Sequence, residues 1–343
     1  MARRRSGYQA EKSRNRNILI FAVLLIIAGV IIGLVLRNRQ AGEEKAEPNS
    51  PPDDSQVVAA NDVQPAKPEP VADEGPSLPP TEIVVDDNTP ANPAATELVG
   101  EAITLMASNP PKFMAARDKL NEALKLQMNA TQRAFIKDQL SPMAEKWLFS
   151  RDVYPDDALC STYKVQSGEN LSTICSKYKV PYEIIMALNN MTRAQDLKAD
   201  QTLKMIHGPF NVRIRRSTFT MDLYLQDTFV RSFRVGLGRQ GRETPTGLWC
   251  VKDRLISPPW TDPDTGRRYE PNDEDYPLGT RWIGLTGLEG AAKNRTGFAI
   301  HGTKKPEEIG TATSRGCIRM YNGDVVLVYN LLVLTDSLVR VED

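Results

Sequence analysis

The chain has 343 residues, of which 41% are hydrophobic, and it contains 24 prolines. This length exceeds that of one ordinary domain, and the many prolines indicate that a good part of the chain is not packed into a core. The formal net charge is zero, which argues against a nucleic-acid-binding protein. We therefore expect a multidomain protein without a nucleic-acid partner.

An uninterrupted apolar segment follows a basic N-terminal tail. Residues 1–17 carry six arginines and lysines, and residues 18–36 carry no charge. At 1.5 Å per residue the apolar segment would span about 28 Å, close to the thickness of the hydrocarbon core of a bilayer. We predict a single transmembrane helix at residues 18–36, a cytoplasmic tail at 1–17, and later domains in the periplasm or cell-wall space. A cleavable signal peptide is the alternative, although its apolar core would be shorter.

Residues 37–94 are rich in proline and acidic residues and almost free of aromatic residues. Such a segment cannot bury enough apolar surface to offset its loss of chain entropy. It is predicted to be a disordered linker that separates the membrane from the folded domains.

Residues 95–150 are predicted to form a small all-α segment. Apolar residues recur at helical spacing, and prolines at 110, 111 and 142 interrupt the pattern, which predicts two or three amphipathic helices. The layout resembles a tetratricopeptide-like hairpin without a clear second copy. Because one unit without a second copy is weak evidence for such a repeat, we favour a small helical module that packs on its neighbours, and a protein partner for this segment stays open.

Residues 160–207 follow a strand, helix, helix, strand pattern. A helix is capped near Asn170, and a second helix opens at Pro181. The strings T-Y-K-V-Q-S-G-E-N-L, P-Y-E-I-I-M-A-L-N-N and L-K-A-D-Q-T-L-K-M together resemble a LysM module, the βααβ domain that binds N-acetylglucosamine-containing glycans. The family's usual glycine before the last strand is Asp200 here, and aspartate tolerates a left-handed backbone better than most residues.

The LysM resemblance implies a glycan groove between two loops. On this basis the glycan-binding candidates are Gly168, Glu169, Asn170 and Asn190. Cys160 and Cys175 also fall in this region, and the sequence leaves open whether they form a disulfide or stay as two buried free thiols.

Residues 209–343 are predicted to be mostly β with one helix. The predicted strands are 210–215, 219–225, 228–235, 248–252, 282–285 and 298–301. Asn322 or Asp324 is expected to cap the helix. The polar loop between Trp260 and Trp282 is interpreted as a solvated lid rather than a calcium loop, because its ligand series does not continue.

A cysteine and a histidine, the two residue types needed for thiolate chemistry, occur near the C-terminus at Cys317 and His301. An unperturbed thiol is only about 3% thiolate at pH 7, so a nucleophilic Cys317 needs a base or nearby cations. His301 can be the base, and Arg315 and Arg319 can supply the cations. Beside Gly316, the backbone N–H groups of the turn at 314–317 are a candidate oxyanion hole. A buried structural cysteine and an ordinary strand histidine are the alternative.

The string H-G-T-K-K-P-E-E-I-G-T-A-T-S-R-G-C-I-R-M resembles the active-site signature of the bacterial L,D-transpeptidases. The resemblance continues upstream through F-R-V-G-L-G, T-P-T-G and P-P-W, and covers roughly residues 210–341. It implies that Cys317 is the nucleophile, that His301 is the base, and that the carbonyl of Gly302 orients the imidazole. The candidates for substrate contacts are Ser314, Arg319 and Trp260.

The same resemblance implies the substrates. The donor would be a peptidoglycan stem tetrapeptide, cut after diaminopimelate or its equivalent with loss of D-Ala, and the acceptor an amine on a neighbouring stem. Hydrolysis or exchange on the same acyl-enzyme is one alternative, and a non-catalytic tether between membrane and glycan is another. With two histidines and no spaced metal ligands, neither a metal site nor a cofactor is predicted.

Overall fold

The structure is a computed structural model that describes residues 84–85 and 90–343. The predicted transmembrane helix at 18–36 and most of the predicted linker lie outside these residues. Within the described ranges, no helix is both long and apolar enough to cross a membrane. The membrane anchor therefore stays a prediction.

The segment that precedes the LysM module contains three helices. In chain order, its elements are β1 Val84–Val85, α1 Pro93–Ala107, α2 Phe113–Leu124, β2 Met128–Asn129 and α3 Ala130–Trp147. Asn92 and Asn129 cap α1 and α3, because their side chains accept hydrogen bonds from backbone N–H groups in the first turn. We call residues 93–147 the helical segment.

Helix α3 continues through Pro142, where the sequence predicted a break. A proline inside a helix removes a backbone donor and costs about 3 kcal/mol. The same helix buries Ile136, Leu140 and Trp147 almost completely, and each such side chain contributes about 1.5–3 kcal/mol. Burial of this face therefore outweighs the cost of the proline.

The βααβ unit forms as predicted. Its elements are β3 Cys160–Lys164, α4 Leu171–Lys177, α5 Tyr182–Leu188 and β4 Thr202–Ile206, and β3 pairs with β4 in antiparallel orientation. Asp200 adopts a left-handed backbone with φ +63°, and its N–H donates to the carbonyl of Val165 at 2.9 Å. The turn before the last strand therefore forms without glycine.

The two cysteines of this unit are buried free thiols. The charged groups that act on Cys160 are Asp157, Lys204 and Arg117, whereas the one that acts on Cys175 is Glu183. Burial raises the pKa of each thiol to about 12. Both thiols are therefore protonated and unreactive at neutral pH.

The C-terminal region is mostly β. Its strands are β5 Phe210–Arg215, β6 Thr220–Leu225, β7 Thr228–Arg234, β8 Leu237–Gly238, β9 Gly247–Ile256, β10 Trp260–Thr261, β11 Arg268–Tyr269, β12 Arg281–Gly287, β13 Phe298–His301, β14 Ala312–Ser314, β15 Ile318–Arg319 and β16 Leu338–Glu342. Eight of them form one sheet in the order β15-β13-β12-β9-β16-β5-β6-β7. The helix of this region, α6, spans Asn322–Tyr329 and packs against β12 and β13.

Neither Asn322 nor Asp324 caps α6, contrary to the sequence-based prediction. The helix begins directly after Tyr321, so Asn322 is already its first residue. Its side-chain Nδ2 donates instead to the carbonyl of Thr303 at 3.0 Å. Asn322 thereby ties α6 to the loop that follows β13.

The helical segment packs against β7, one of the two outer strands of the sheet. The Phe229 N–H on β7 donates to Asn121 Oδ1 on α2 at 2.8 Å. Lys137 on α3 pairs with Asp222 on β6 at 2.6 Å, and both side chains are largely buried. This face of the segment is thus occupied by the chain's own sheet.

A buried lysine joins the LysM module to the helical segment. Lys204 Nζ on β4 donates to the carbonyl oxygens of Trp147, Ser150 and Asp152 at 2.6, 2.9 and 2.7 Å. Carbonyls at a helix C-terminus lack partners within the helix and carry partial negative charge. The ammonium group satisfies them and fixes the end of α3 on the LysM sheet.

Candidate active site

The two predicted catalytic residues lie at the ends of neighbouring strands. Strands β13 and β15 run parallel, with Ile300 beside Ile318 and His301 beside Arg319. Side chains alternate between the two faces of a strand, and both isoleucines are fully buried. His301, next to Ile300, therefore points to the other face of the sheet, and Cys317 directly precedes β15.

The imidazole of His301 is fixed on two sides. Its Nδ1 lies 2.6 Å from the carbonyl oxygen of Gly302, and the Trp282 ring stacks on it with 5.8 Å between centroids and 17° between planes. A carbonyl oxygen only accepts hydrogen bonds, so Nδ1 carries the proton and Nε2 keeps a lone pair. The resemblance assigned this contact to Gly302, whereas no sequence pattern pointed to Trp282.

Burial makes both catalytic candidates neutral. It lowers the pKa of His301 to about 4, a shift that the backbone carbonyls of Gly302 and Leu278 oppose and that Arg319 reinforces. It also raises the pKa of the Cys317 thiol to about 11, which a hydrogen bond from the Ala299 backbone opposes. The sequence predicted a thiolate stabilised by cations, whereas these two pKa shifts favour a neutral thiol and a neutral imidazole.

The two arginines expected to activate the thiol are both paired with carboxylates. Arg315 Nη1 lies 2.9 Å from Asp262 Oδ2, and its Nε lies 3.0 Å from Asp264 Oδ2. Arg319 pairs with Glu308, and burial lowers the pKa of its guanidinium. Paired carboxylates cancel much of the positive potential that these arginines would otherwise exert on the thiol.

The first part of the predicted lid loop, residues 260–269, forms a β-hairpin. Strands β10 and β11 form its stem, in which the rings of Trp260 and Tyr269 lie 5.8 Å apart. At its tip, Asp264 contacts Arg315 at 3.0 Å and Arg242 at 3.0 and 3.1 Å. The hairpin therefore docks on the turn that precedes Cys317, and Trp260 belongs to its stem.

Ser314 organises the turn that presents Cys317. Its Oγ donates to the carbonyl of Cys317 at 2.6 Å and accepts from the Gly316 N–H at 3.0 Å. Gly316 has φ +116°, and a Cβ there would lie 2.7 Å from the Phe298 ring, so the position requires glycine. Ser314, predicted to contact substrate, is buried inside the turn. Its Oγ already accepts the hydrogen bond of the Gly316 N–H, one of the candidate donors to the oxyanion.

Thr244 links a distant loop to the same turn. Its buried hydroxyl donates to the Gly316 carbonyl at 2.8 Å and accepts from the Gly238 N–H at 3.1 Å. Gly238 and Thr244 come from the motifs F-R-V-G-L-G and T-P-T-G, which the resemblance included without giving Thr244 a role. The hydroxyl explains why these motifs accompany the signature around Cys317.

Replacing Thr244 with valine is expected to lower the free energy of unfolding by about 1–3 kcal/mol, because it leaves two buried backbone groups without a partner. The turn would also place Cys317 less precisely, and acylation of the thiol should slow. Urea denaturation and intact-mass kinetics measure the two effects. Thr246→Val, in the same motif but less buried, is the matched control, and equal stabilities of the two variants would contradict the bridging role.

The predicted glycan-binding residues lie in two loops of the LysM module. Asn170 caps α4, since its Oδ1 accepts from a first-turn N–H at 2.9 Å. The Glu169 carboxylate accepts from the Tyr163 hydroxyl at 2.7 and 2.8 Å. These two side chains therefore stabilise their own turn, whereas Gly168 and Asn190 are exposed at positive φ, +84° and +55°.

Two parts of the chain match known domain families. Residues 209–341 match the L,D-transpeptidase catalytic domain, and residues 163–205 match the LysM domain. The putative L,D-transpeptidase YkuD of Bacillus licheniformis is 27% identical over 171 residues, which cover 48% of this chain and 88% of that protein. The probable L,D-transpeptidase ErfK/SrfK of Escherichia coli is 33% identical over 113 residues, which cover 29% of this chain and 34% of that protein.

A solved structure of L,D-transpeptidase 3 from Mycobacterium tuberculosis, in complex with a faropenem-derived adduct, is 17% identical with a TM-score of 0.32. The similarity covers 42% of this chain and 65% of that one, slightly less than two thirds of its length. The two family matches coincide with the βααβ unit and with the mostly-β region that holds His301 and Cys317. The chain therefore contains a LysM domain, residues 163–205, and an L,D-transpeptidase catalytic domain, residues 209–341.

Proposed function

We propose that this protein is a peptidoglycan L,D-transpeptidase that forms an acyl-enzyme on Cys317. The observation that carries the proposal is that His301 ends β13 and Cys317 directly precedes the neighbouring parallel strand β15, inside a domain that matches the L,D-transpeptidase catalytic family. The hydrogen bond between His301 Nδ1 and the Gly302 carbonyl leaves Nε2 as the base.

Acylation begins from the neutral pair. Cys317 Sγ attacks the peptide carbonyl carbon as Nε2 of His301 takes the thiol proton, so the thiolate need not accumulate first. The remaining N–H groups of the turn at 314–317 stabilise the oxyanion. The carbon–nitrogen bond then breaks, imidazolium protonates the leaving amine of D-Ala, and a thioester remains on Cys317.

Transfer to the acceptor reverses these proton movements. His301 removes a proton from the incoming amine, which attacks the thioester carbonyl, and the thiol leaves after regaining a proton from imidazolium. The acceptor we propose is an amine on a neighbouring stem peptide. Water or a D-amino acid in its place would give hydrolysis or exchange on the same intermediate.

We further propose that the other parts of the chain bring this site to its substrate. A LysM domain supports binding to peptidoglycan glycan strands, and the charge-free segment at 18–36 behind a basic tail supports a single-pass membrane anchor. The linker at 37–94 would let the folded domains work away from the bilayer.

The test uses the full-length protein and a stem tetrapeptide that ends in diaminopimelate and D-Ala. Intact-mass spectrometry should show an adduct equal to the tetrapeptide minus D-Ala on the wild type, and none on Cys317→Ala. Liquid chromatography should show free D-Ala together with a cross-linked dimer. The adduct maps to Cys317 after proteolysis.

Other outcomes separate the alternatives. An adduct with D-Ala release but without dimer would replace cross-linking by hydrolysis. A folded wild type that gives no adduct would overturn the acyl-enzyme and favour a tether between membrane and glycan. A glycan pull-down would then measure how tightly the LysM domain binds glycan strands.

A further inference from the structure

Trp282 connects the catalytic imidazole to a carboxylate. Its ring stacks on His301, and its Nε1 donates to Asp253 Oδ1 at 3.0 Å. Strand β12 lies between β13 and β9 in the sheet, with Trp282 paired to His301 on one side. Asp253, Trp282 and His301 thus form a continuous row across three strands.

A glycine makes room for this carboxylate. Gly284 is the partner of Asp253 in the β9–β12 register, and a Cβ at Gly284 would lie 2.4 Å from Asp253 Oδ1. Cross-strand partners point to the same face, so the carboxylate occupies the space that a side chain at 284 would fill. The missing side chain lets Asp253 reach the indole two residues along β12.

The positive charge that Asp253 and Trp282 would stabilise forms on His301 only during the reaction. His301 is neutral at rest and becomes imidazolium when it takes the thiol proton. A buried imidazolium is costly without compensation, and the electron-rich face of an indole attracts a cation at this distance. A hydrogen bond from the indole N–H to a carboxylate polarises the ring further and increases that attraction.

On the other side of His301, the nearest charged group opposes the imidazolium. Arg319 on β15 lies beside His301 in register, and its charge disfavours protonation of the imidazole. Glu308 offsets part of this charge through its ion pair with Arg319. The backbone carbonyls of Gly302 and Leu278 also interact with the imidazole but carry no net charge. Asp253, acting through Trp282, is the carboxylate on the β12 side.

We propose that Asp253 is a positioning residue for His301: through Trp282 it orients the imidazole and stabilises the imidazolium that forms during acyl transfer. This role rests on the proposed function, because it concerns the proton that Cys317 gives up. It extends that function by adding two residues outside the signature around Cys317.

The test compares Asp253→Asn, Trp282→Phe and the double variant in the full-length protein. Asparagine keeps the shape and an acceptor oxygen but removes the charge, and phenylalanine keeps a stacked ring but removes the N–H. Each single variant should slow acylation by the stem tetrapeptide several-fold and by less than about 30-fold, the value of a whole desolvated cation–π contact, because both variants keep a ring stacked on the imidazole. The substrate concentration at half-maximal rate should not change, and the double variant should be no slower than either single one.

A second readout needs no substrate. The chain has only two histidines, so the imidazole nitrogens of His301 can be assigned by nuclear magnetic resonance with His207→Gln as reference. At mildly acidic pH, Asp253→Asn should lower the ratio of charged to neutral His301 by the same factor as the rate. A variant that only loosens the fold would expose the ring and raise this ratio.

Two results would overturn the role of Asp253. One is an unchanged His301 titration in Asp253→Asn, and the other is a double variant whose rate loss equals the product of the single losses. If wild type forms no acyl-enzyme, the proposed function fails, yet the titration still decides whether Asp253 acts on His301.

Discussion

Replacing His301 with glutamine is expected to slow acylation of Cys317 by about 10²- to 10⁴-fold, the contribution of a positioned general base. The reason is that burial raises the pKa of the thiol to about 11, so almost no thiolate is available without a base. Glutamine keeps a polar side chain near Gly302 but cannot take the proton. Single-turnover intact-mass kinetics with the stem tetrapeptide measure the rate.

The chain's other histidine provides the control. His207 lies in the LysM region, where its Nε2 contacts Ser161 Oγ at 2.8 Å, and His207→Gln should leave the acylation rate unchanged. Equal losses in both variants would mean that glutamine acts on stability rather than on proton transfer.

The pH profile of the wild type tests the same neutral pair. Since kcat/KM reports ionisations of the free enzyme, we expect a plateau from about pH 5 to about pH 10. Below it, imidazolium cannot accept the thiol proton, because the pKa of His301 is about 4. Above it, the thiol has already lost the proton that the leaving amine needs, because its pKa is about 11. A rate that falls already between pH 7 and 6 would contradict the buried imidazole.

Replacing Arg117 with methionine is expected to lower the free energy of unfolding by about 3–5 kcal/mol, the usual cost of leaving a buried charge unpaired. Arg117 Nη1 lies 2.8 Å from Asp157 Oδ1, and the two side chains are only 3% and 0% exposed. The guanidinium also lies 4.5 Å from the centre of the Trp147 ring. Methionine would fill much of the space but leave the Asp157 carboxylate buried without its cation. Urea denaturation followed by tryptophan fluorescence measures the change.

A matched control comes from the second carboxylate on the same guanidinium. Asp118 pairs with Arg117 but is 59% exposed, so Asp118→Asn should change stability by no more than about 0.5 kcal/mol. Adding Asp157→Leu to Arg117→Met should recover part of the loss, because it removes the unpaired charge. A single Arg117→Met variant as stable as Asp118→Asn would show that the buried pair does not stabilise the fold.

The sequence predicted those features that depend on local pattern. Alternating residues located strands such as Phe210–Arg215 and Phe298–His301, whose bounds match the structure. The βααβ order of the LysM module also follows from spacing and caps. Pro142 was misread, because the break it predicts competes with burial by residues that only the tertiary fold brings into contact.

The sequence did not predict those contacts in the site that join residues far apart in the chain. The sequence identified His301 and Cys317 by residue type and signature, but it gave no sign that Asp262 and Asp264 would pair with Arg315. It also gave Thr244 no role. Each contact joins loops far apart in the chain, so its partner depends on sheet order, which single-sequence patterns do not specify.

Packing of the helical segment on β7 affects whether two copies of the protein can associate through this edge of the sheet. An outer strand normally presents a row of unpaired backbone groups to which a strand from another molecule can add. Here Asn121 takes up the Phe229 N–H, and α3 packs along the same strand. Strand addition between copies would tie up the sheet that carries His301. The helical segment therefore blocks strand addition at β7, one of the two edges of the sheet.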